Sequence, residues 1–192
     1  MSAELIGAMS AVASIVTAVV ITATAVAALV QLRHMRAANT IHAMMALRSM
    51  IDDPGHRDAL DLLDSEHRAI MSTPAFREYA RRALDRDAPA DADPVIREVF
   101  RASLLVANMY ETIGAMVKFG SIPRKEVLSQ YCYVYDITWR QLEPFIWLSR
   151  EAANNESIYE DFEYLTVLSR EFFQSNPSTY PEGAAHIPRP AL

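Results

Sequence analysis

Residues 5–32 carry no charged side chain. The run LIGAMSAVASIVTAVVITATAVAALVQL fills all 28 positions between Glu4 and Arg33. A helix rises about 1.5 Å per residue, so this one would span roughly 42 Å, more than the ~30 Å hydrocarbon core of a bilayer. Inside hydrocarbon a backbone must satisfy its own polar groups, and a single helix does so within one segment. The run therefore reads as a transmembrane helix over residues 5–32, behind a short external N-terminus of residues 1–4. A cleaved secretory signal fits less well. Its apolar stretch is 7–15 residues and follows a positive n-region, whereas Met-Ser-Ala-Glu has no Lys or Arg. Small residues around Ala23, Ala25 and Ala27 imitate a cleavage site without supplying either feature. A buried core helix fits less well still, because no face of the run is polar.

The flanks set an orientation. Arg33, Arg36 and Arg48 follow the run and no basic residue precedes it, so the positive-inside rule puts the C-terminal side in the cytoplasm and the N-terminus outside. Glu4 aside, every charge lies beyond the run, with 18 Lys+Arg against 23 Asp+Glu. That acidic balance excludes the basic footprint of a nucleic-acid binder. Three arginines are too few for a polybasic lipid site. A lone cysteine, Cys132, excludes an intrachain disulfide and suits a reducing compartment. Only Lys118 and Lys125 are lysines, and with the abundant alanine this looks like genomic base composition rather than chemistry.

Five glycines in 192 residues and little alternating pattern point to an all-α chain. Met35, Ala38, Ile41, Met45 and Ile51 predict that the first helix continues to about Ile51, where Asp52-Asp53-Pro54-Gly55 stops it. Two helices are expected over His56–Met71 and Pro74–Asp85, the second capped by Thr73 with Pro74 at its first position. With the loop DRDAPADAD these fill a membrane-proximal region, 33–93. Region 94–174 is the expected bundle core. Val99, Ser103, Val106, Tyr110, Ile113 and Val117 form an a/d-like seam on a helix from Pro94 to Gly120, whose glycine suits a left-handed cap. Leu128, Tyr131, Tyr135, Thr138, Leu142 and Phe145 form a second seam, kinked or divided near Glu143 by Pro144. Ser157-Ile-Tyr-Glu160 reads as a capping box for a last helix with Ile158, Phe162, Leu165, Leu168 and Phe172 inward. Residues 175–192 form a Pro-rich tail. The sum is a single-pass anchor continuing into a cytosolic antiparallel helical bundle.

Three segments resemble a known family together: N-M-Y-E-T-I-G (Asn108–Gly114), W-R-Q-L-E-P-F-I-W-L-S-R (Trp139–Arg150) and Y-E-D-F-E-Y-L (Tyr159–Leu165). Their order and spacing behind an N-terminal membrane helix resemble the bacterial domain of unknown function 4760 family. The resemblance implies a membrane-anchored cytosolic helical domain at the bacterial inner membrane and supplies no mechanism.

The candidate residues lie in these segments. Asn108, Glu111, Trp139, Arg140, Glu143 and Arg150 admit two readings: a pocket with Glu111 as base, an arginine as anion clamp and Trp139 as platform, or interhelical ion pairs of Glu111 or Glu143 with Arg140 or Arg150. No nucleophile, motif histidine or glycine-rich loop accompanies them, so the structural reading is preferred and no catalytic, cofactor-binding or metal residue is assigned. His34, His42, His56, His67 and His186 lack metal-site spacing. Asp52, Asp53, Asp58, Asp61 and Asp64 lack the ordered calcium-loop pattern. Tyr133 cannot share the face of Tyr131 and Tyr135, so Tyr133 and Trp147 are candidate partner anchors. Ala3, Gly7 and Ala11, with Ser10, Ser14, Ala18 and Thr22, give small-residue stripes that favour helix association in lipid.

The expected function is a membrane-anchored interaction or scaffold protein without enzymatic activity or cofactor. Its expected partners are the lipid bilayer and either a second copy or another membrane protein, not nucleic acid. A membrane-linked effector of a bacterial stress or phage-defence response is the alternative. A hydrolase built on Glu111, Trp139 and Arg150 ranks third.

Overall fold

A computed structural model describes residues 3–64, 68–176 and 183, without the side chains of 3–8, 11, 13, 64 and 68. The described residues form seven helices and no strand: α1 (Ala3–Ile51), α2 (Pro54–Asp64), α3 (Arg68–Met71), α4 (Pro74–Leu84), α5 (Pro94–Lys118), α6 (Arg124–Ala153) and α7 (Glu160–Ser175). The chain divides into two compact units, Met1–Ala43 and Met44–Leu192. The expected tail from residue 177 lies outside the described residues except for Gly183, as do Ser65, Glu66 and His67 and the side chains of Ala3, Gly7 and Ala11.

In the first unit α1 has no buried side. Val12, Ile15, Val19, Ile21 and Leu29 are all exposed, as are Ser10, Ser14, Ala18 and Thr22. Among the described residues α1 is the one helix long and apolar enough to cross a membrane, with a mean hydropathy of 2.3 in its apolar window. Its polar side chains are compatible with that role. The Thr22 and Thr24 hydroxyls each donate to the carbonyl four residues back, Ala18 and Val20, at 2.8 Å, so neither is left without a partner in an apolar medium.

The second unit begins on the last turns of α1. α1 ends at Ile51 as expected; there Met45 is exposed, as are Met35 and Ile41, and Leu47 is the fully buried residue, flanked by half-buried Met44, Met50 and Ile51. Met, Leu and Ile alternate too densely in AMMALRSMI for apolarity alone to select the inward side. Asp53 then caps α2, its Oδ1 accepting from the His56 N–H at 3.1 Å. Of the helix expected over His56–Met71, the described residues give α2 and α3, and Ser65–His67 between them lie outside the described residues. Thr73 caps α4 as its sequence demands, accepting from the Phe76 N–H at 3.2 Å.

α2 packs on α5, α4 on α5 and α6, and α7 on both α5 and α6. The α5 seam is buried at every expected position, from Val99 through Val117. Along α6, Leu128, Tyr135, Thr138, Leu142 and Phe145 are buried and Tyr131 is half-buried. Pro144 does not divide α6, which stays one helix of 30 residues. Proline removes the hydrogen bond to the carbonyl four residues back, but Leu142, Phe145 and Ile146 around it are fully buried and hold the helix in place.

Helix ends follow one device. Gly120 (φ +70°), Arg86 (φ +62°) and Asn154 (φ +45°) all adopt left-handed geometry after α5, α4 and α6. In each case the next N–H reaches back to the helix: Ser121 to Met116 O at 2.8 Å, Asp87 to Arg82 O at 2.8 Å and Asn155 to Arg150 O at 3.1 Å. These are Schellman closures, and only the first has the glycine that marks it in sequence. α7 begins two residues later than expected. Ser157–Tyr159 are turns, and Tyr159 sits at φ +59° as the residue before the helix with no side-chain cap of its own.

His56 lies between α2 and α5, 2% exposed, its ring edge-on to Tyr110 at 5.7 Å. Neither ring nitrogen has a partner among the described residues. Burial holds its pKa below the usual value, against the opposing charge of Asp53. The unfolded chain therefore binds the proton more readily, and stability falls as pH drops through about 6.5 toward the folded pKa. In pH-dependent thermal unfolding followed by the fluorescence of buried Trp139, His56→Phe is expected to remove part of that acid-side loss while keeping the edge contact with Tyr110.

Candidate functional site

The three sequence segments converge on the N-terminal turn of α7. α5 brings Tyr110, Glu111 and Gly114, α6 brings Trp139 and Arg150, and α7 receives them around Asp161, Phe162 and Glu163. Gly114 sits so close to α7 that a Cβ placed on it would lie 2.0 Å from the Asp161 carbonyl oxygen and 2.4 Å from its carbon. Both are backbone atoms, so no side chain can move aside. That approach lets Tyr110 stack on Phe162 with ring centroids 5.1 Å apart, while Trp139 meets the same ring edge-on at 5.2 Å.

Glu111 supplies what α7 lacks. Its Oε2 accepts from the Phe162 N–H at 2.8 Å, and the Asp161 N–H also bonds to the carboxylate. A carboxylate at a helix N-terminus satisfies orphan donors and suits the dipole. This cap comes from 51 residues away in sequence. Desolvation nevertheless raises the Glu111 pKa, outweighing the two backbone bonds, and the charges of Asp161 and Glu160 push the same way. Lys118 answers those two acids, donating to Asp161 at 2.7 Å and Glu160 at 3.2 Å.

Arg150 holds the chain that precedes α7. It is 4% exposed; its Nε donates to Ile158 O at 2.9 Å and its Nη2 to Glu163 Oε2 at 2.6 Å. The Trp147 indole lies over the guanidinium at 5.0 Å and its Nε1 reaches Glu143 at 3.5 Å. Tyr159 is buried between these groups, its phenol pushed up to about 12 by burial and the Glu111 charge.

The expected pairing of Glu111 or Glu143 with Arg140 or Arg150 does not occur. Arg150 pairs with Glu163, Arg140 pairs with Asp136, and Asp136 also accepts from Arg170 Nε at 2.6 Å. Glu111 and Trp139 share the α7 joint, and Asn108 and Arg140 are exposed. Tyr133 stands apart. It is 67% exposed, with no hydrogen bond or ring contact among the described residues, and lines grooves on both flanks of α6. Trp147, at 48%, is engaged with Arg150 and Glu143. Tyr110, Gly114, Phe162 and Glu163 were legible as members of the motifs but not as partners. Asp136 was signalled by its place four residues before Arg140, whereas Arg170 had no sequence signal. Among the described residues no group of His, Cys, Asp and Glu is arranged to hold a metal ion.

The family described as Domain of unknown function (DUF4760) matches residues 18–167, more than three quarters of the chain and all three segments of the α7 joint. The chain belongs to that family. No curated protein and no solved structure matches it. In this DUF4760 chain the joint tests the role of its polar and small residues. Alanine normally gains about 0.5–1 kcal/mol over glycine inside a helix, but at Gly114 overpacking against backbone is expected to cost about 2–3 kcal/mol. A Gly114→Ala chain unfolding no earlier than the parent in thermal denaturation would sink this account.

Removing the cap separates hydrogen bonding from charge. Glu111→Ala is expected to lose about 1–3 kcal/mol, because buried N–H groups are left unmade. Glu111→Gln keeps an acceptor and sheds the carboxylate's burial cost, so it should stay near parental stability at neutral pH. The raised pKa fixes the sign for the parent: the Glu111 contribution grows as pH falls through its folded pKa toward the unfolded value. Denaturant titrations at pH 7 and pH 5 check both variants.

Proposed function

We propose that this protein is a single-pass anchor at the bacterial inner membrane, N-terminus outside and helical domain in the cytoplasm, that works by protein contact rather than catalysis. Arg33, Arg36 and Arg48 behind the apolar run support the orientation. One observation carries the contact reading. The motif residues that invite a catalytic interpretation, Glu111 and Arg150, are spent on holding α7, while Tyr133 projects from α6 largely unburied. A tyrosine offers apolar area, a hydroxyl and low side-chain entropy, the properties favoured in binding anchors. Tyr133 and Arg140 lie seven residues apart on one outward line of α6. The partner is a second copy or another membrane protein, and neither nucleic acid nor a cofactor takes part.

Native mass of the full chain after mild-detergent extraction from its host, with co-purifying proteins identified, tests this reading. A multiple of 21.5 kDa or a stoichiometric companion is expected, and Tyr133→Ala should weaken the complex about tenfold. A chain that extracts alone and monomeric would refute it.

A further inference from the structure

α2 is held to the bundle by one narrow face. His56, Ala59 and Leu63, three and four residues apart on this 11-residue helix, are its buried residues among those described, and α2 packs on α5. Its ion pair, Arg57 Nη2 to Asp52 Oδ1 at 2.7 Å, reaches back along the chain, and among the described residues none joins α2 to α5. A free helix of this length is marginal in water, so docking is what keeps α2 helical. One of its docked residues is a histidine with no partner for either ring nitrogen among the described residues.

We propose that His56 is a proton-operated latch: its neutral imidazole docks α2 on α5, and its imidazolium releases α2 while α4, α5, α6 and α7 stay packed. The neutral ring suits the interface, where it meets Tyr110 of α5 edge-on at 5.7 Å. The protonated ring carries a charge and an N–H donor at both nitrogens. Neither donor has an acceptor among the described residues, and a buried charge without hydrogen bonds costs far more than a buried neutral ring. The surrounding groups do not answer it. Tyr110 is kept neutral by burial, and its ring meets that of Tyr135 in α6 at 5.5 Å, whose hydroxyl also lacks a partner among the described residues. The Glu111 carboxylate, next in α5, is taken by the Phe162 and Asp161 N–H groups. Asp58, Glu98 and Arg101 line one open flank of α2, and Asp61 lines the other, beside α6. Asp53, just before α2, accepts from the His56 backbone N–H at 3.1 Å and its charge favours the imidazolium, but burial outweighs it. Release of α2 is the least costly response, because the other helices are tied to one another by contacts that do not involve it. These are Gly114 against Asp161, the Glu111 cap on α7, Arg150 with Glu163, and Arg81 with Glu151 at 2.7 Å. Release gives the imidazolium to water and uncovers Tyr110 and Ala102 on α5.

This latch goes beyond the proposed contact function and does not depend on it. Its test is hydrogen exchange of the full chain in detergent, read by mass at pH 7.5 and pH 5.5 and corrected for the intrinsic pH dependence of exchange. An exposed histidine titrates at about 6.5, so α2 opening should rise by up to about tenfold between these pH values. At least a fivefold loss of α2 protection is expected, with α5, α6 and α7 changing less than twofold. His56→Phe and His56→Leu fill the site without taking a proton, so both should match the parent's α2 protection at pH 7.5 and keep it at pH 5.5. A parent α2 that loses less than fivefold overturns the proposal. So does a comparable loss in α5, α6 or α7, which assigns the acid response to the bundle rather than to α2. A variant that follows the parent's acid loss overturns it, because another group then titrates. Two variants that both leave α2 undocked at pH 7.5 overturn it as well, because the imidazole is then more than a neutral filler.

Discussion

The contact on which the bundle depends is the approach of Gly114 to the Asp161 carbonyl. Hydrogen at position 114 sets the separation of α5 and α7, and three other contacts follow from it. Tyr110 reaches the face of Phe162 only if the helices are this close. Glu111, three residues before Gly114 and one turn away, then falls within reach of the first free N–H groups of α7. Lys118, one turn beyond, meets the acids of that same helix turn. A helix that starts with a left-handed tyrosine and no cap of its own is thus stabilised by side chains borrowed from its neighbour.

This changes what the three sequence segments mean in this chain. Residues such as Glu, Arg, Trp and Tyr in short motifs invite a search for a reaction, and a raised carboxyl pKa strengthens the invitation. Here the same features arise from packing. Burial raises the Glu111 pKa because the carboxylate is used as a structural cap, and Arg150 is buried because it joins a loop carbonyl, a glutamate and an indole. Breaking such a buried pair by removing one partner costs more than the pair's net contribution.

Elements governed by local chemistry were legible in the sequence. The α5 seam, the Thr73 cap, the left-handed Gly120 and the outward Tyr133 between inward-facing Tyr131 and Tyr135 all follow from spacing or backbone preference. What failed depended on the tertiary environment. Ser157 resembles a capping residue, yet Arg150 draws the Ile158 carbonyl toward α6 and delays the helix to Glu160. Arg86 and Asn154 close helices in glycine's usual conformation, which their side chains do not announce. Pro144 was expected to kink or divide α6, and burial on both sides of it keeps the helix undivided. Within the candidate site the members were readable and their partners were not, because ion-pair choice between helices depends on register that a single sequence does not contain.

The cap on α7 also imposes an order on synthesis. α1 leaves the ribosome first and α7 last of the seven helices, so the bundle lacks its final member until this stretch of the chain is nearly made. Until Asp161 and Phe162 emerge, the α5 surface around Tyr110 and Gly114 has nothing to cover it, and the Glu111 carboxylate faces water. The domain therefore completes its core only when its last helix has emerged, and the close contact at Gly114 is among the last to form.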